Sequence, residues 1–211
     1  MCMQCGRGHR GAAQRRPWRT GRPAALLAAA LAALVLACGH QPVLPVAEDV
    51  SGEAGCEGCG PCEGPGGVCI VPAQAEAWAR EVVRLTNEQR AGAGLPPLQV
   101  NAKLTAVAER YACRLIEAGF WAHEDPITGS TIATRALDGG YEYRAVGENL
   151  AAGQATPADA VAGWMASPGH RRNILDGQNG EGVGFTEIGV AVRFGGVCNV
   201  YWVQEFGRPS P

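Results

Sequence analysis

The chain has 211 residues, 18 basic and 20 acidic side chains, a formal net charge of −2 and nine cysteines. A balance this close to neutral excludes the basic footprint of a nucleic-acid binder. The length allows one domain of ordinary size beside a leader, and no internal repeat suggests a second.

Residues 1–37 carry six arginines (Arg7, Arg10, Arg15, Arg16, Arg19 and Arg22) and no acid, then run apolar from Pro23 to Ala37. A basic n-region followed by a short apolar run reads as an export signal. The run, roughly 15 residues, falls short of the about 20 that span a bilayer. Val35-Leu36-Ala37-Cys38-Gly39 resembles a bacterial lipobox, so Cys38 is the expected lipid anchor, with ordinary secretion as the alternative because Leu36 is unusual there. Removal of the leader leaves 12 basic against 20 acidic residues, an acidity that serves solubility.

Residues 38–73 are rich in Gly, Pro, Glu and Cys and cannot build a core, so they read as a tether. Cys56, Cys59, Cys62 and Cys69 cluster there, and Cys113 and Cys198 lie beyond. Six cysteines in an exported chain point to disulfides, of a connectivity that one sequence does not give. The CxxCxxC spacing with a fourth cysteine also fits a metal or iron-sulfur site, the minority alternative in an oxidising compartment. Cys113 falls opposite the apolar stripe of its helix, which suggests a bridge to the cysteine-rich segment or to Cys198.

Residues 74–208 make the domain. Trp78, Val82, Leu85 and Gln89 are spaced for a helix over 75–91, stopped by the Gly92/Gly94/Pro96/Pro97 cluster. Asn101 caps a second helix with Leu104, Val107, Ala108, Tyr111, Ala112 and Leu115 on one face, closed by Gly119. A short helix follows over 131–137, and Thr156-Pro157-Ala158-Asp159 starts another that runs to about Ala166. Then the period changes to two. Ile188, Val190, Val192 and Phe194 alternate with smaller or polar residues, Gly195-Gly196 supplies a two-residue turn, and residues 197–206 return. Helices followed by a hairpin predict an α+β domain with a mostly antiparallel sheet.

Both histidines of this domain, His123 and His170, stand in distinctive segments, and Glu148 stands between them in Gly147-Glu148-Asn149. Two imidazoles and a carboxylate suit a divalent metal such as zinc or proton transfer. Ser167, three residues before His170, completes the residue types of a nucleophile, base and acid, although Pro168 separates it from His170 and a helix-capping role fits it better. Asn149 is expected to brace the strand beside Glu148. Trp121, Trp164 and Trp202 are expected in the core.

These segments, in this order, resemble the CAP superfamily (SCP or PR-1-like), in its exported bacterial branch. The matching elements are Leu85 to Arg90, Leu98, Asn101 to Leu104, His123 with Gly129 and Arg135, Gly147-Glu148-Asn149, Trp164 to Leu175 and Tyr201 to Gly207. The resemblance implies an α-β-α sandwich with a cleft lined by two histidines and two acids that can hold a divalent ion, and gives His123, Glu148 and His170 three of the places. Ser167 stands where animal relatives commonly carry the fourth, a glutamate, so Glu187 and Asp125 are the substitutes expected, with Arg135 beside a cleft acid or exposed. The loop Asp176 to Gly184 is longer than usual. The implied protein is an envelope-associated module, lipid-anchored or secreted, binding a small-molecule, lipid or cell-wall ligand. Metal-assisted hydrolysis of peptide or cell-wall polymer with Glu148 as base, and a purely structural spacer, are the alternatives.

Overall fold

The computed structural model describes residues 62–175 and 184–211. The export signal, Cys38, most of the tether with Cys56 and Cys59, and nearly all of the 176–184 loop lie outside the described residues.

The elements run α1 (Ala75–Gly92), β1 (Gln99–Val100), α2 (Ala102–Ala118), α3 (Ile132–Asp138), β2 (Tyr143–Ala152), α4 (Pro157–Ala166), α5 (Pro168–Leu175), β3 (Glu187–Gly195) and β4 (Asn199–Pro209). Local chemistry sets the helix ends as the sequence predicts. The Asn101 side chain accepts from the amides of Lys103 and Leu104, Gly119 ends α2 in the left-handed region at φ 71°, and Thr156 accepts from the Asp159 amide with Pro157 following. Pro168 ends one helix and opens the next, occupying the first turn of α5, where a missing amide costs nothing.

The four strands form one sheet in the order β1-β3-β4-β2. The two long pairings are antiparallel, but β1 pairs with β3 in parallel, so the sheet is mixed. Two residues of β1 between Pro97 and the Asn101 cap gave no periodic signal. The hairpin turn is also wider than expected: Gly195 pairs with Asn199, leaving residues 196–198 in the loop, with positive φ at Gly195, Gly196 and Asn199.

Strand alternation sorts two cores onto the two faces. Val190, Val192, Trp202 and Phe206 pack with Val82 of α1, Trp164 of α4 and Ile174 of α5. Ala191, Tyr201, Val203 and Leu150 pack with Tyr111, Leu115 and Ile116 of α2. Trp164 and Trp202 are fully buried and donate their indole N–H to the carbonyls of Leu150 (2.9 Å) and Gln154 (3.0 Å). The result is the α-β-α sandwich. No helix among the described residues is long and apolar enough to cross a membrane.

The end of the expected tether belongs to this domain. Cys62 bridges to Cys198 and Cys69 to Cys113, which excludes a four-cysteine metal or iron-sulfur site. The amides of Gly64 and Gly67 donate to the carbonyls of Gly119 and Ile116 at the end of α2, and Ile70 pairs with Phe194.

Two stability predictions follow from close packing and the bridges. A Cβ at Gly189 would lie 2.2 Å from the Leu104 and Thr105 backbone, so Gly189→Ala should destabilise by about 3 kcal/mol or more in urea unfolding, since backbone cannot step aside as a side-chain end can. The Cys69–Cys113 bridge spans 44 positions. Replacing both cysteines by serine should cost roughly 2–4 kcal/mol in the same measurement through the freed unfolded chain.

Candidate functional site

Glu148 lies on β2 with its side chain on the α2 face, beside Leu150 in alternation, and only 1% of that side chain is exposed. A buried carboxylate must be paired. His123, on the arm that leaves α2, supplies Nδ1 at 2.7 Å from Oε1, and Arg135 of α3 supplies Nη2 at 2.6 Å from Oε2. Arg135 also donates through Nη1 to the carbonyls of His123 (3.0 Å) and Ser130 (2.9 Å), and its guanidinium stacks 3.4 Å from the Tyr111 ring centroid. It is thus a partly buried partner of Glu148 and a brace for the His123 arm. The Tyr111 hydroxyl donates to the Ala122 carbonyl at 2.6 Å, fastening the same arm.

His170 comes from the opposite layer, on α5, and its ring centroid lies 6.4 Å from that of His123 with the planes at 51°. A buried polar chain holds its segment. Asn149 donates to the His170 carbonyl (3.2 Å) and to Gln204 Oε1 (3.0 Å), Gln204 donates to Thr86 Oγ1 (2.8 Å), and Asn173 donates to Asn149 Oδ1 (2.9 Å) and to the Glu148 carbonyl (3.1 Å). Asn149 therefore has the bracing role its position predicts. Ser167 is buried between α4 and α5, where its carbonyl accepts the Arg171 amide. The acid a nucleophilic trio would set behind His170 is bonded to His123 and Arg135.

The fourth polar group is Glu205, which the sequence reading passed over. It is directly opposite Glu148 in the β2–β4 register and wholly buried. Period two along β4 puts Glu205 on the face of Tyr201 and Val203. That alternation was the available signal. Burial, together with the charge of Glu148, pushes the Glu205 carboxyl well above the usual carboxylate range. Burial acts on Glu148 in the same upward direction, but Arg135 and His123 outweigh it and leave that carboxyl below its ordinary value. The two carboxyls are thus pushed apart, Glu148 toward its ionised form and Glu205 toward its protonated one. Among the described residues no N–H or hydroxyl reaches either Glu205 oxygen.

Both acids expected to complete the set are engaged elsewhere. Asp125 accepts from Arg114 (Nε, 2.7 Å) and from the amides of Ile127 and Thr128, closing the 125–130 turn. Glu187, at the start of β3, accepts from the Tyr141 hydroxyl (2.7 Å) and Asn101 Nδ2 (3.1 Å).

This site lies within residues 83–206, which match the sequence model of the Cysteine-rich secretory protein family, CAP. The chain belongs to the CAP family. The CAP domain here is similar to the Uncharacterized protein YkwD of Bacillus subtilis strain 168, 36% identical over 136 residues, 64% of this chain and 49% of that protein. It is 28% identical to the same organism's Uncharacterized membrane protein YlbC over 60% of this chain and 33% of that one. The chain thus spans about half and a third of these two relatives. A crystal structure of an extracellular protein containing an SCP domain, from Bacillus anthracis strain Ames, superposes with a TM-score of 0.54 at 28% identity, covering 64% of this chain and 41% of that one. An outer surface protein of Borrelia burgdorferi shares the fold, with a TM-score of 0.55 at 22% identity over 62% of this chain and 92% of that one.

The Glu148–Glu205 pair of this CAP domain has a signed consequence. A carboxyl whose folded pKa is raised leaves stability intact below its unfolded value near 4.5 and removes it as pH rises, because only the unfolded chain then releases the proton. Glu205→Gln keeps the shape and a donor toward Glu148 without that loss. Its melting temperature should match the parent's near pH 4 and exceed it at pH 7, as followed by circular dichroism.

Proposed function

We propose that the protein is an exported envelope module, held by a lipid on Cys38 or secreted, whose cleft binds a ligand between His123 and His170. The observation that carries the cleft assignment is the 2.7 Å bond from His123 Nδ1 to Glu148. An ionised carboxylate only accepts, so Nδ1 holds the proton and Nε2 is the nitrogen presented away from Glu148, in a ring fixed by a buried partner. Export is supported by the leader, by two disulfides that an oxidising compartment favours, and by the extracellular description of the B. anthracis relative.

A divalent ion fits this arrangement in one form only. Both Glu148 oxygens already serve His123 and Arg135, so the carboxylate orients the imidazole from behind, and the protein ligands would be the two rings. Tetrahedral coordination by two imidazoles brings ring centroids to about 5 Å, closer than the 6.4 Å here. Such an ion would draw the rings together, depend on water for its remaining ligands and bind weakly. The hydrolase alternative is disfavoured by the same geometry, because a carboxyl held below its ordinary value by an arginine is a poor base at neutral pH.

Zinc titrated calorimetrically into the domain should give a saturable heat with a dissociation constant in the micromolar range or weaker, abolished in His123→Ala and in His170→Ala. An undiminished heat in both variants would overturn the two-imidazole site. Lipid and elemental mass analysis of protein purified from its own envelope tests the Cys38 anchor and the ligand together.

A further inference from the structure

We propose that a second hollow, walled by α2, α3 and the 125–130 turn, binds an oxyanion, the phosphate or carboxylate group of a small ligand. It is an open hollow of about 370 Å³ that neither histidine lines; it shares Arg135 with the Glu148 cluster but does not rest on the function proposed above. Its volume falls in the range of small-molecule sites.

Three guanidiniums line the hollow. Arg110 and Arg114 stand one turn apart on the same face of α2, and Arg135 closes the inner wall above Tyr111. Two carboxylates line it as well, and among the described residues they leave Arg110 without a partner. Asp125, 1% exposed, already accepts from Arg114 and from the Ile127 and Thr128 amides. The Arg114 bond and those amides hold its carboxyl far below the usual range. Arg135 is balanced by Glu148 on the cleft side. Glu117, exposed at the rim as Arg110 is, acts on Arg114 through its charge. Arg110 makes no ion pair or side-chain hydrogen bond among the described residues, and its guanidinium lies near Gly139 at the end of α3. The hollow therefore holds N–H donors in excess of acceptors, and Thr128 and Ser130 add hydroxyls.

The turn that presents these groups is set before any ligand arrives. The Asp125 amide donates to the Ser130 carbonyl (3.0 Å), the Gly129 amide donates to the Asp125 carbonyl (2.8 Å), and Arg135 donates to the Ser130 carbonyl. Guanidiniums meet oxyanions with paired, charge-assisted hydrogen bonds, whereas a neutral or cationic ligand would leave the donor excess unmet.

The test is a nitrogen-15 NMR titration of the disulfide-bonded protein with sodium phosphate and, separately, sodium acetate, at ionic strength held constant with chloride. Saturable shifts of the Ile127, Thr128, Gly129 and Ser130 amides are expected with at least one of the two anions, and which one saturates tells a phosphate site from a carboxylate site. Arg110→Glu should raise the dissociation constant at least tenfold, Arg110→Gln should raise it by a smaller factor, and Arg84→Glu on the outer face of α1 should leave it unchanged. Shifts that fail to saturate with either anion, or a constant unaltered by both Arg110 substitutions, would overturn the proposal.

Discussion

The carboxylate of Glu148 is the constraint around which the site is organised. An ionised acid with almost no exposure is tolerable only if its oxygens are matched by cationic or strongly donating partners. Arg135 and His123 supply those partners from two different elements, so the burial of one charge dictates where α3 and the His123 arm must lie. Arg135 also holds the His123 and Ser130 carbonyls, and removing it would free the arm as well as strand the acid. Glu205 beneath Glu148 adds no further negative charge, because it keeps its proton.

The opposite wall is organised by neutral groups. Thr86, Gln204, Asn149 and Asn173 form a chain of hydrogen bonds from α1 through β4 and β2 to α5, ending on the backbone of His170. Arg90, itself buried, donates to the carbonyls of Pro96 and Ile174 and so ties the end of α5 to α1. One histidine is thus set by an ionic cluster on the α2 face and the other by an amide network on the opposite face, and the strand β2 passes between the two systems. Unpartnered, buried amides would cost more than an apolar core, so the mutual bonds of Asn149, Asn173, Gln204 and Thr86 favour this one geometry.

What could be read in the sequence follows the reach of each signal. Helix starts at Asn101 and Thr156 and the Gly119 stop were legible because caps and left-handed glycines act within four residues. The alternation in 188–194 located β3 and β4 because one step of pleat changes the face. That His123 meets Glu148 was an expectation from family order and not from spacing, and Arg135 stood open between pairing and exposure, since residues 25 and 13 positions apart meet only through the packing of α2 and α3 on the sheet. Asp125, two residues from His123, and Glu187, just before Ile188, were the candidates for the missing acid, yet the amides of the 125–130 turn hold the first and the distant Asn101 and Tyr141 hold the second. Glu205 was hidden by the opposite bias: an acid amid Tyr201, Trp202, Val203 and Phe206 reads as an interruption of a core strand until its cross-strand neighbour is known.

Composition misjudged residues 62–73 for a related reason. Glycine, proline and cysteine there signal the lack of a private core, which is correct, but the segment borrows its burial from the domain. A Cβ at Gly66 would fall 2.0 Å from the Glu117 carbonyl oxygen, one at Gly119 would fall 2.0 Å from that of Gly64, and one at Gly195 would fall 2.2 Å from that of Val68. Gly66 of the segment and Gly119 and Gly195 of the domain are thus what allow backbone to lie directly on backbone, and the two bridges fasten that contact at Cys113 and Cys198. Because the contact covers the end of α2, where the arm to His123 begins, the segment from Cys62 to Ile70 supports from outside the same arm that Glu148 and Arg135 hold from within.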